Sequence, residues 1–292
     1  MNKRELESYV TELPMLPNSL VKLMALNPSD DKFFENFESI CKQEPALTIK
    51  VLQLSNSSLY GTRHKILDIK EAIIRLGIST LSNIFSTLAV TKVFVPSFEN
   101  EKRLWLHSIE VAFLAEEISK NILQLDVDWQ HKVYTCGLLH DIGLFVQFAV
   151  EPQLINLIDG FNWETPLEHI EAESKVFDIP HTELGLILGQ KWSLPTLTEY
   201  CIKYHHQYEL PESVKEKKSV YHVIRLIQLA DFISEYFYHH DSENSEGGLH
   251  EELNKFPCLE SWAKANVGFN ELYTVSKEAL DHAKEIYTAI NF

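Results

Sequence analysis

Seven side chains of this 292-residue sequence have types and spacings that could do chemistry: His107, His140, Asp141, His181, His205, His206 and Asp231. His140 and Asp141 stand side by side in TCGLLHDIGLF, a run that is otherwise mostly apolar. A buried carboxylate without a partner costs several kcal/mol, so this pair needs a ligand, a hydrogen bond or a counter-charge. His107 shares a helical stripe with Val111, Leu114 and Ile118 and therefore faces inward. His181 follows Pro180, a residue suited to a helix start. His205 and His206 close a helical segment, where the macrodipole favours a cationic imidazole. Asp231 lies in VIRLIQLADFISEYF, an unusually apolar setting for an acid.

Each residue alone has an ordinary explanation: a hydrogen-bonded core histidine, a cap, or for Asp231 a salt bridge to Arg225. Together they have one common explanation, because imidazole nitrogen and carboxylate oxygen are the usual ligands of transition metals. One or two divalent ions fit the set, with iron or manganese favoured and zinc or nickel compatible. On a continuous helix adjacent residues diverge by about 100°, which sends His140 and Asp141 in different directions and leaves Asp141 able to bridge two ions.

The elements that must position these residues read as helices throughout. Apolar residues recur at helical spacing, strict alternation is rare, and ten glycines are few for a turn-rich β fold, so the expected class is all-α. Asn18 is a candidate N-cap for NSLVKLMAL, and Phe33, Phe34, Phe37 and Ile40 are expected on one stripe. Further helices are expected from Pro45 to Leu54, from about Ile69 to Val93, and from about Lys102 to Leu123, with Gly77 as a helix-ending residue. Asn56, Ser57 and Gly61, anchored by Leu59 or Tyr60, read as a helix end and turn of architectural purpose. FVPSFENEKR, Phe94 to Arg103, is the candidate boundary between two halves. His239 to Glu252 is expected to be disordered, and NELYTVSKEALDHAKEIYTAI to form a terminal amphipathic helix.

Composition narrows the partners. With 45% hydrophobic and 23% charged residues the chain can bury a real core. A formal charge of −16 repels nucleic-acid backbones and anionic lipid, so neither is the expected main partner. No apolar run is expected to approach the roughly twenty residues a membrane span needs and the N-terminus lacks a secretory pattern, which makes the cytoplasm the expected address. Cys41, Cys136, Cys201 and Cys258 form no C-x-x-C pair and read as ordinary thiols.

The order His107, His140-Asp141, His181, His205-His206, Asp231 resembles the ligand series of the HD superfamily of metal-dependent phosphohydrolases. LPMLPNSLVKLMAL, EPALTIKVLQLSNSSLYG, IKEAIIRLG, LWLHSIEVAFLAEEI, GLLHDIG, HTELGLILGQKWSLP and HH resemble the HDOD family of bacterial signalling proteins more specifically. The resemblance covers roughly residues 10 to 235. It implies an N-terminal helical subdomain (residues 1–98) packed on an HD-like helical bundle (99–240), leaving 241–292 as a polar loop and C-terminal helix.

The departures bear on function. The related HD-GYP enzymes, which hydrolyse cyclic di-GMP, carry lysine in HDIGK and a glycine- and proline-rich loop after the double histidine. Here Leu144 takes the lysine position and HHQYELPESVKEKKSV contains no such loop. Leucine can neither hydrogen-bond a phosphate nor donate a proton. In FDIPH, Asp178 and Pro180 stand where the family more often has glycine and aspartate. The expected function is therefore a non-catalytic regulatory module with a retained metal site and a protein partner in a signalling pathway. With no receiver, kinase or GGDEF-like segment in the sequence, its input is expected from another polypeptide. The alternative is a metal-dependent phosphohydrolase acting on a nucleotide or cyclic dinucleotide, a phosphate-containing small ligand. There His107, His140, Asp141 and Asp231 would hold one ion and His181, His205 and His206 a second. An iron-based redox or oxygen switch is a third reading of the same ligand types.

Overall fold

Asp68 shows how local sequence places these helices. Its carboxylate accepts hydrogen bonds from the backbone N–H groups of Lys70 and Glu71, 2.9 and 3.2 Å away, and so opens a helix where the donors lack intrahelical partners. In the computed structural model, which describes residues 3–16, 32–43, 45–57, 60, 65–96, 98–153, 161, 166–240, 245–269 and 271–290, every regular element is a helix.

The N-terminal part consists of α1 (Lys3–Glu12), α2 (Phe33–Gln43), α3 (Pro45–Ser55), α4 (Ile69–Leu76) and α5 (Ile78–Thr91). The expected helical stretch over 69–93 is divided at Gly77, the expected helix end, whose φ of 77° ends α4 and redirects the chain into α5, which starts at Ile78. In α2, Phe33, Phe37 and Ile40 are buried, but Phe34 turns outward at 43% exposure, contrary to the expected single stripe. Residues 33 and 34 are successive, so a helix separates them by about 100°. Asn56 is architectural: its side chain donates to the carbonyls of Leu52 and Ile66 and accepts from Ile66 N–H, closing the loop between α3 and α4. Asn18 with its expected helix, Leu59 and Gly61 lie outside the described residues.

The central part comprises α6 (Glu99–Glu117), continued by one wider π-type turn over Ile118–Ile122, then α7 (Val127–Leu139), α8 (Ile142–Val150), α9 (Pro166–Phe177), α10 (His181–Lys191), α11 (Thr196–Tyr204), the short α12 (Glu212–Lys215) and the long α13 (Lys218–His239). Helices α6 and α7 pack extensively on each other, and α13 packs against both. At the α6–α7 crossing a Cβ on Gly137 would come 2.8 Å from the Ala112 Cα, so only glycine lets the two backbones approach this closely. Trp105, Phe85 and Tyr134 are fully buried in one apolar core that runs from the N-terminal helices into this bundle. Val127–Val150 is apolar and long enough to cross a membrane, which corrects the expectation that no run approaches that length. It is interrupted at His140-Asp141, and 83% of its most apolar window is buried inside the fold.

Lys191, at the end of α10, donates through Nζ to the carbonyls of Val10, Thr11 and Leu13, capping α1. After α13 come α14 (Glu246–Leu253), α15 (Pro257–Asn266) and α16 (Leu272–Ile290), the last packed against α6. The expected disorder over 239–252 does not extend to the described part of that stretch. Ser245 Oγ caps α14 by accepting from Gly248 N–H, Tyr236 OH bonds both backbone groups of Ser245, and Leu249 and Leu253 are buried. Two apolar side chains one turn apart and a cap thus outweigh the polar composition.

Candidate metal centre

Five elements bring the seven candidate residues to one place in the bundle. His107 comes from the third turn of α6, His140 and Asp141 from the break between α7 and α8, His181 from the first residue of α10, His205 and His206 from the end of α11, and Asp231 from the middle of α13. The break matters. Helix α7 ends at Leu139 and Asp141 has φ −99° and ψ 18°, so the expected 100° divergence does not apply and both side chains turn to the same centre. His140, His181 and His205 have no exposed surface, while His107, Asp141 and Asp231 are buried to within a few per cent.

The donor atoms fall into two groups joined by Asp141. In one, His107 Nε2 lies 3.2 Å from Asp231 Oδ1 and 3.7 Å from Asp141 Oδ2, with His140 Nε2 at 3.9 Å and 3.3 Å from the same oxygens. In the other, His181 Nε2 and His205 Nε2 lie 3.2 and 3.1 Å from Asp141 Oδ1 and 3.1 Å from each other; His206 is in reach, its Nδ1 3.8 Å from Asp231 Oδ2. Asp141 therefore faces both groups, the position required of a carboxylate that is to bridge two ions, and is not confined to His107, His140 and Asp231. Arg225 is not the counter-charge of Asp231: its guanidinium donates to Gln228 Oε1 and to the carbonyl of Tyr208.

The residues fit a cation on three observations. Donors held 2.0–2.2 Å from an ion lie about 3 to 4.4 Å apart, the spread found here. Four imidazoles spend Nδ1 on other groups: His107 on Ser234 Oγ (3.0 Å), His140 on the carbonyl of Gly137 (2.7 Å), His181 on Glu173 (2.7 Å) and His205 on the carbonyl of Ile202 (2.9 Å). Ser234 in turn donates to Glu110, so it accepts from His107. An Nδ1–H committed outward leaves the Nε2 lone pair inward, as in a ligating histidine. Finally, His140 Nε2, Asp141 Oδ1 and His206 Nδ1 are buried without a hydrogen-bond partner, a costly arrangement unless something else meets them.

The electrostatics ask for positive charge. Burial lowers the His107 imidazole, but the hydrogen bond to Asp231 and the charges of Glu235, Asp231 and Asp141 override it and lift the pKa to about 9. At His181 burial is likewise outweighed, by Glu173 and Asp141, and the pKa rises to about 10. Burial alone would raise the Asp141 carboxyl, yet His140, His181 and His205 hold it well below the carboxylate range. Burial and the neighbouring imidazoles push His206 well below its ordinary value, which keeps its ring neutral and available as a donor.

Two residues escaped the sequence reading. Glu173 and His169 on α9 form a further group with His181, and Glu173 is fully buried. The available signal was the stripe His169, Glu173, Phe177, four residues apart, beside the exposed Glu168 and Glu171 of the same helix. At the departure from the family pattern before His181, Asp178 itself takes the left-handed conformation, φ 54°, that glycine would supply. Pro180 then leads directly into α10.

The chain is 26% identical over 209 residues to an uncharacterized protein of Treponema pallidum (strain Nichols), an alignment covering 72% of this chain and 40% of that protein's length. Among solved structures it is similar to an HDOD domain protein of unknown function from Geobacter sulfurreducens, with TM-score 0.72, 25% identity, and 99% of this chain and 95% of that one covered. It is also similar in fold to a proposed phosphohydrolase from Shewanella amazonensis SB2B, with TM-score 0.69, 21% identity, and 97% and 96% covered. The HDOD domain model matches residues 13–208, more than half of the chain, and the protein belongs to the HDOD domain family.

Proposed function

We propose that this chain is a regulatory module that holds one or two divalent cations at the His107–Asp231 centre and passes a signal to a protein partner without hydrolysing a substrate. The observation that carries this reading is the commitment of the site's polar groups to one another. The four outward Nδ1 atoms fix ligand tautomers, and among the described residues every ion pair of Asp141 and Asp231 is with a histidine. A phosphodiester substrate needs cationic or hydrogen-bonding groups for its phosphate, and Leu144, half-buried against the core, offers neither. A bound ion would supply Lewis acidity and charge; these residues supply its binding, and their burial keeps bulk water away. Because the donors come from α6, the α7–α8 break, α10, α11 and α13, loading would tie five elements together, which is how occupancy becomes a state of the whole bundle.

Phosphate-ester hydrolysis is the second reading, favoured by the donor set of histidines and carboxylates. Elemental analysis of the purified protein beside a His140→Ala, Asp141→Ala double variant, followed by phosphodiesterase assays with added iron or manganese, separates the two. The expected result is metal in the wild type, none in the variant and negligible turnover in both. Robust hydrolysis of a cyclic dinucleotide that vanishes in the double variant would replace the regulatory reading with the enzymatic one.

A further inference from the structure

Glu173 is a buried carboxylate with no lysine or arginine among its described ion pairs. Its two oxygens lie 2.7 and 2.8 Å from His181 Nδ1, and Oε2 also accepts the His181 backbone N–H at 2.8 Å. That N–H is the first of α10 and has no intrahelical partner, so the carboxylate satisfies it and places negative charge at the positive end of the helix. One side chain from α9 thus holds both the main chain and the ring of His181. Neither translation of the helix start nor rotation of the imidazole is possible without breaking one of these bonds. Behind it His169 Nδ1 lies 3.5 Å from Oε1.

His169, Glu173 and His181 do not read as a separate ion site. A ring nitrogen 2.7 Å from a carboxylate oxygen is at charge-assisted hydrogen-bond distance, closer than two ligands of one cation ordinarily stand. The carboxylate accepts the Nδ1 proton, leaving the lone pair on Nε2, the atom that faces Asp141 and His205. We infer that Glu173 is the positioning residue of the centre: it fixes the tautomer and direction of His181 and raises the ring's basicity toward a bound cation. This rests on the cation centre proposed above.

The test uses the full chain and Mn²⁺ alone as the titrant. Glu173→Gln preserves size and one acceptor but removes the charge and the second acceptor. The expected result is a Mn²⁺ affinity weaker by about 10- to 100-fold, with half-maximal loading at pH 7 requiring correspondingly more metal, while the far-UV circular dichroism matches wild type. A second measurement does not depend on any variant folding. In histidine-¹⁵N-labelled wild type loaded with Zn²⁺, His181 should carry its proton on Nδ1. Equal Mn²⁺ affinity in Glu173→Gln, or a His181 proton found on Nε2, overturns the role of Glu173 and leaves the centre standing. A wild type that binds none of Mn²⁺, Fe²⁺, Zn²⁺ and Ni²⁺ overturns the centre, and this inference with it.

Discussion

Replacing Gly143 by alanine tests whether the approach of α8 to α10 sets the candidate centre. A Cβ at this position would lie 2.7 Å from the carbonyl carbon of His181 and 2.8 Å from Gly185 N, with the carbonyl oxygen closer still. Ordinary contact begins at 3.4 Å, so relief of the 2.7 Å contact alone needs the helices to separate by about 0.7 Å (3.4 − 2.7) and the nearer oxygen demands more, and all three obstacles are backbone that no rotamer change can move. Overpacking against side chains typically costs 1–3 kcal/mol, and against fixed backbone the loss should be about 3 kcal/mol or more. The same displacement carries Asp141, two residues away, from His181 and His205, now 3.2 and 3.1 Å from it. Metal–ligand distances tolerate only about 0.2 Å. Chemical denaturation of metal-free protein and metal content after loading read the two effects separately. Gly185→Ala should be milder, because its nearest obstacle is the Ile202 Cγ2 methyl at 2.9 Å, though Gly143 N follows at 3.0 Å. Gly189→Ala, with nothing nearer than 3.4 Å, should be neutral or slightly stabilising, since alanine is the better helix former. A Gly143→Ala protein as stable and as fully metallated as wild type would refute the reasoning.

Glu116 gives a pH dependence away from the centre. Burial raises its carboxyl to about 7 against the hydrogen bonds from Ser79 and Asn83, both 2.5 Å long. A carboxyl raised in the folded state stabilises fully below its unfolded value of 4.5 and loses that contribution as pH climbs through about 7, on the order of 3 kcal/mol in all. The wild type should therefore lose stability relative to Glu116→Gln between pH 5 and 8, as measured by urea titration; parallel profiles would contradict the assignment. Asn56→Ala removes three hydrogen bonds that close the α3–α4 loop and should cost about 2–3 kcal/mol, read as a lower denaturation midpoint with metal binding unchanged.

The sequence shows histidines and acids that stand out against apolar stripes, and so the seven candidate residues were visible. His107 betrayed itself by helical phase and Asp231 by its apolar neighbours. Glu173 gave a weaker signal, because an acid in a helix with solvent-facing Glu168 and Glu171 looks like surface, and only the packing of α9 on α10 selects it. Glu116 was hidden the same way beside Glu117. The ending of α7 at Leu139 has no marker either: no proline or glycine stands at the break, and the turn at His140-Asp141 arises from the tertiary contacts around it. In the segment after α13, composition argued for disorder, whereas Ser245 and two leucines one turn apart were enough for a helix. Gly137, Gly143 and Gly185 are legible as glycines, but what each must approach can be read only from the fold.

Helix α10 carries His181 at its first residue and Lys191 at its last, and the lysine grips the carbonyl end of α1. An eleven-residue helix is a beam about 16 Å long whose internal bonds resist bending. Tension applied at one bearing is felt at the other. A tilt of the imidazole end therefore swings the grip on the first helix of the chain, and a molecule pulling on that first helix would loosen or tighten the histidine in return.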